Sequence, residues 1–141
     1  MAETSLDAPV TVDDAWPKLQ ELSTWEGVAE IEDLHSATHD SKGNLTGFEF
    51  SFDTALGRVD GVATVVAKKP TMQIRGEQKG LEISIDVALR SPTPKSVPTT
   101  VMVKVSAKAT KFLTRPVAIT LNSLLNSAID EEAQKIAGRL G

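Results

Sequence analysis

The feature that most constrains this chain is the order of its hydrophobic patterns. A short alternating run, Glu3–Val10, opens it. An amphipathic helical stretch and a second short one follow, reaching about Ala29. Six strand-like runs come next, one after another. A long helical pattern, about Pro116–Leu140, closes the chain. A meander of this kind is all hairpins, and its one long helix can bury its apolar face only by lying across the sheet. The predicted class is α+β: a seven-stranded antiparallel sheet curved around a long C-terminal helix, with two short helices between strands 1 and 2. A cupped sheet gripping a helix often encloses a cavity, so the order points to a container.

Composition limits what such a container can do. With 141 residues there is material for one domain, residues 1–141, with its own core. The absence of cysteine excludes disulfides, thiolate catalysis and zinc–cysteine sites. The first residues, Met1-Ala-Glu-Thr-Ser5, carry neither a basic nor an apolar leader region, and no run approaches the roughly 18 apolar residues that span a bilayer. A cytoplasmic protein is expected. The net charge of −4 speaks against nucleic acid or anionic lipid as a partner held through a general field. The charge is uneven, with thirteen acids and three bases in residues 1–60 but six acids and twelve bases in residues 61–141. The simplest expectation is that the halves pair across the fold. Nothing in the sequence sets the oligomeric state, and a monomer is the simpler expectation.

The runs themselves are legible. Thr4, Leu6 and Ala8 alternate with Glu3, Ser5 and Asp7. Thr11-Val-Asp-Asp14 offers N-cap oxygens; a cap at Asp13 or Asp14 would place Pro17 in the first turn. Val12, Trp16, Leu19 and Leu22 make one stripe. Ser23-Thr-Trp-Glu26 reads as a capping box for a short helix stopped near Gly27. The strands are predicted at about Ala29–Asp40, with a bulge near Glu32-Asp33, then Leu45–Leu56, Val59–Lys68, Thr71–Glu77, Leu81–Arg90 and Thr99–Thr110. The run Val59–Lys68 is apolar on both faces, as for a central strand. In the last helix Leu121, Leu124, Leu125, Ala128, Ile129, Ala133, Ile136, Ala137 and Leu140 form a wide stripe.

The order of strand, two helices, six antiparallel strands and a long helix resembles the helix-grip fold of the START-like (SRPBCC) superfamily. The residues that carry the likeness are Ser5-Leu-Asp-Ala-Pro-Val10, Asp13-Asp-Ala-Trp16 and Trp25-Glu-Gly-Val28. They are most similar to two bacterial branches, the polyketide cyclase/dehydrase proteins and the carbon monoxide dehydrogenase subunit-like proteins. The resemblance implies an apolar cavity for a small hydrophobic ligand, lipid-like or polyketide-like, held between sheet and helix. The side chains expected to line it are Phe48, Phe50, Phe52, Ile74, Ile83, Ile85 and Val103 from the sheet, with Leu121, Leu125 and Ile129 from the helix. The phenylalanine row either lines such a pocket or plugs it. The superfamily holds carriers, sensors, cyclases and proteins with a filled core, so the likeness fixes no reaction.

Catalytic chemistry finds little support. His35 and His39, four apart on a strand, stand roughly 13 Å from one another and cannot share an ion. Arg58, Arg75 and Glu77 near strand ends would border a mouth, but read more simply as surface charges. Thr46 and Thr54 share the phenylalanine face and offer hydroxyls. No Ser-His-Asp order, glycine-rich phosphate loop or zinc spacing is present, so no catalytic residue, metal or cofactor is expected.

Overall fold

The computed structural model describes residues 2–54, 57–78, 80–111 and 114–141, with the backbone alone for Phe52 and Thr54. Its elements are β1 (Ala2–Ala8), α1 (Val12–Leu19), α2 (Leu22–Trp25), a 3-10 turn (Val28–Glu30), β2 (Glu32–His39), β3 (Leu45–Thr54), β4 (Gly57–Lys68), β5 (Thr71–Gln78), β6 (Leu81–Arg90), β7 (Thr99–Ala109) and α3 (Arg115–Leu140). The strands form one antiparallel sheet in the order β1-β7-β6-β5-β4-β3-β2. The expected helix-grip architecture is the observed one.

Pleat alternation builds the two faces. On the inner face Phe48, Ala63, Gly76, Ile83 and Ala107 lie in one row across five strands. Val65, Ile74, Ile85, Val105 and Ala2 make the next. All of these large side chains are buried. Helix α3 packs on β1 and β7 through Leu121, Leu125, Ala133, Ile136 and Leu140. Its end is tied down by Lys18, whose Nζ donates to the carbonyl of Leu140 (3.1 Å). Asn122 serves the sheet as well. Strand β1 pairs with β7 as far as Val105, and the Asn122 amide takes over at Ala107, accepting from its N–H (2.8 Å) and donating to its C=O (2.6 Å).

Local chemistry departs from expectation at several places. Thr11, not Asp13 or Asp14, caps α1: its side chain accepts from the Asp14 N–H (3.0 Å), which leaves Pro17 in the second turn. The helix is short enough that the proline's missing N–H costs one bond. The Ser23–Glu26 capping box does not form, because the Glu26 carboxylate turns to β2 and accepts from the N–H groups of Asp33 (2.8 Å) and Leu34 (3.2 Å). Strand β2 starts at Glu32 rather than Ala29, since Ala29 and Glu30 take positive φ in the 3-10 turn. The bulge expected near Glu32-Asp33 is present, with Asp33 at φ 51°, and a second follows at Ser36. The predicted end of strand three, residues 55–56, lies outside the described residues. In β4 both faces are apolar, but nothing covers the outer one among the described residues, and Val62 and Val66 are exposed. Leu124 leaves the α3 stripe for solvent at 51% exposure.

In the β2–β3 hairpin, Asp40 accepts from the N–H groups of Asn44 and Lys42, and the Asn44 bond above all holds its carboxyl below the usual value of 3.8. Across the outer face Glu3 lies opposite Lys104, with Oε2 and Nζ 3.9 Å apart, and Lys104 lies opposite Asp86 in turn. The expected pairing of acidic and basic halves is thus realised at this row. Both Glu3 and Lys104 are about half exposed. Lys104→Glu is expected to destabilise by roughly 0.2–1 kcal/mol, and adding Glu3→Lys to restore part of it. Urea unfolding of the four proteins measures the coupling, which should shrink in high salt. Zero coupling would mean that the pair contributes nothing.

Candidate functional site

The inner face from β3 to β6 is the candidate site, and the register explains why its members meet. Phe48 and Phe50 alternate onto one face of β3, with ring centroids 6.3 Å apart and planes at 65°, an edge-to-face pair. Ile83 and Ile85 on β6 and Ile74 on β5 stand in the two rows alongside. Val103 sits one row further along, on β7. Leu121 and Leu125 reach in from α3 and are buried; Ile129 is half-buried against the same core. The side chain of Phe52 lies outside the described residues.

Phe50 shows how this face is built. Its ring lies over Gly61 of β4 and Gly76 of β5. A Cβ built on Gly61 would stand 2.5 Å from Phe50 Cζ, and one on Gly76 2.7 Å from the same atom. Neither glycine has a positive φ, so the backbone does not require glycine there. The ring does. Glycine inside a strand costs roughly 0.5–1 kcal/mol in chain entropy, and here it clears a shallow pit in the sheet one phenyl ring wide. Sequence reasoning missed this pair, although an isolated glycine within an apolar strand run is the signal that marks a close approach.

Polar groups at the rim of the core are structural. Gln20 is buried; its Oε1 accepts from the Leu45 N–H (2.8 Å) and its Nε2 donates to the Trp16 carbonyl (3.2 Å). Glu132 is the buried charge of α3: Oε2 accepts from the Ala29 N–H (3.0 Å), and Oε1 lies 3.6 Å from Lys135 Nζ. It pins the 3-10 turn to the helix. Nothing in the acidic triplet Asp130-Glu-Glu132 marks which member is buried. Among the described residues no buried side-chain nitrogen or oxygen lacks a partner.

The polar candidates do not converge on the inner face. Arg75 and Glu77 lie on the outer face, opposite Ser84 and Glu82, because they alternate with the inward Ile74 and Gly76. Arg58 is held among Glu32, Asp33 and Asp53. The Thr46 hydroxyl bonds that of Thr38 (2.8 Å), and the Thr54 side chain lies outside the described residues. His35 sits 2.7 Å from the Asp33 carbonyl and 3.3 Å from Glu49, whereas His39 reaches the Gln20 carbonyl (3.1 Å). Among the described residues no three metal-ligating side chains come together. The surface recesses lie elsewhere. One of about 970 Å³ sits at the end of the sheet between Val12, Pro70, Pro92, Pro94 and Pro98. Another, of about 490 Å³, crosses the outer face at Val66, Gln73, Asp86 and Met102.

The chain has the START-like fold. The decisive likeness is to a START superfamily protein from Mycobacterium smegmatis, which covers 99% of this chain and 95% of its own at TM-score 0.69 and 10% identity. The Zhui aromatase/cyclase from Streptomyces sp. R1128 matches over 99% and 92% at TM-score 0.64 and 8% identity. A conserved protein from Geobacillus kaustophilus matches over 98% and 93% at TM-score 0.63 and 15% identity. No protein-family model and no curated protein matches the sequence. At these identities the START-like likeness is one of fold. No helix among the described residues is long and apolar enough to cross a membrane.

Proposed function

We propose that this START-like chain is a cytoplasmic binding module that holds a small hydrophobic ligand, lipid-like or polyketide-like, between sheet and α3. The observation that carries the reading is the inner wall of β3 to β6. It is apolar and free of charged groups among the described residues, and it extends beyond the β1 and β7 strands on which α3 packs. Affinity there comes from burial, about 25 cal/mol per Å² of apolar area, with few groups to orient the ligand. The sheet residues assigned to the ligand are Phe48, Phe50, Phe52, Ile74, Ile83, Ile85 and Val103. Leu121, Leu125 and Ile129 complete the set. Likeness to an aromatase/cyclase supports a second reading, a polyketide cyclase or dehydratase that works by positioning its substrate. The close packing of Phe50 favours a third, a filled-core protein acting through its surface.

A naphthalene sulfonate dye separates the third reading from the others. The folded protein is expected to bind it with a defined stoichiometry, and a fatty acid or aromatic polyketide to displace it. Native mass spectrometry should show an apolar ligand carried through purification. A protein that binds no dye, and whose amide shifts ignore a panel of hydrophobic ligands, has a filled core. Turnover of an aromatic polyketide would move the assignment to the enzyme.

A further inference from the structure

Helix α3 carries an exposed face that the ligand reading does not use. Residues 116–129 contain no charged side chain, over about 21 Å of helix. Most of their outward positions are open to solvent, and two are large aliphatics: Ile119 at 70% exposure and Leu124 at 51%. A helix that only faced water would carry charges there. The hydroxyls on this face are turned inward. Thr120 donates to the Pro116 carbonyl (3.0 Å), and Ser127 lies 3.2 Å from the Ser123 carbonyl and 3.0 Å from that of Leu124. Covering them therefore strands no donor. Charge returns at both ends of the span with opposite sign, Arg115 before it and Asp130 and Glu131 after it.

We infer that this face packs against the same face of a second copy of the chain, antiparallel, with the twofold axis near Ser123. A two-fold contact must be self-complementary, and this face is. An antiparallel crossing centred on residue 123 sets Arg115 of one copy opposite Glu131 of the other, and does so twice. Ile119 then meets the small Ser127, and the serines at the centre let the two helices approach closely. The charge pattern selects this partner: parallel packing would place Arg115 on Arg115 and Glu131 on Glu131. One helix-on-helix contact buries less than the about 1,200 Å² of a stable interface, so the dimer is weak and concentration-dependent.

Sedimentation velocity of the full chain from micromolar to millimolar concentration tests this. The weight-average mass is expected to rise from 15.1 kDa toward twice that value. Ser123→Glu sets two carboxylates together at the axis and should hold the protein monomeric with its melting temperature unchanged. Arg115→Glu and Glu131→Arg should each weaken association on the order of tenfold by opposing like charges twice. Together they should restore it, which no monomer property would do. A chain that stays monomeric throughout overturns the inference. So does a dimer that survives Ser123→Glu, or a double variant no tighter than the singles. Cosedimentation of a persistently monomeric chain with phosphatidylglycerol vesicles, lost in Ile119→Ser, would assign the face to a membrane instead.

Discussion

Leu125→Asp is expected to abolish the folded state. Leu125 is 2% exposed, on the side of α3 that faces the sheet. An aspartate there meets a wholly apolar neighbourhood, and an unpaired buried charge costs several kcal/mol even after relaxation. The total stability of a domain this size is about 5–15 kcal/mol. The neighbouring Leu124→Asp makes the same chemical change at a position 51% exposed, and should shift stability by no more than about 0.5 kcal/mol at low protein concentration. Circular dichroism melts of the pair measure the contrast. A Leu125→Asp protein that melts with the parent would mean that α3 does not close the core.

The second large effect concerns Phe50 and its glycines. Phe50→Ala removes a ring that is 1% exposed and lies in a pit with no Cβ beneath it. A loss of about 3–5 kcal/mol is expected, at the upper end for such truncations because two glycines cannot close the space. This revises the expectation from sequence that packing and ligand contact weigh equally at this position. Gly76→Ala should cost about 1–3 kcal/mol by overpacking, since the new methyl would meet only the ring. The two changes should not add. In Phe50→Ala/Gly76→Ala the methyl partly fills what the ring leaves, with a coupling of about 1–3 kcal/mol by denaturant unfolding. Gly61→Ala should be rescued less completely, because its Cβ would also stand 2.8 Å from the Glu77 carbonyl oxygen. Additive costs for Phe50 and Gly76 would show that ring and glycine do not touch in solution.

The order of elements was legible in the sequence because each signal is local. Period-two alternation in Leu81–Arg90 and Thr99–Ala109 names the inner face of β6 and β7 residue by residue. The turn chemistry of Asp40–Asn44 and the stripe of α3 set their own boundaries to within a residue or two. Antiparallel pairing of β1 with β7, and with it the Glu3–Lys104 row, followed from the fold that this order implied. Most of the candidate site was legible for the same reason, since Phe48, Phe50, Ile74, Ile83 and Ile85 are simply the inward half of their strands.

Only the tertiary structure decided what depends on a distant neighbour. Whether a two-sided apolar strand is covered on both faces is set by the number of layers, and the outer side of β4 has none among the described residues, so Val62 and Val66 stand in solvent. Glu26 abandons the capping box suggested by Ser23 because two β2 amides offer it better bonds seven and eight residues away. Glu132 is buried and its neighbours are not, because the 3-10 turn brings one unpaired amide to that position alone. Gly61 and Gly76 were visible as glycines, but the ring that requires them comes from β3, and composition holds no record of which side chain will lie across a strand. Periodicity specifies which way a residue points; what it points at is a property of packing, which forms only once the whole chain has closed.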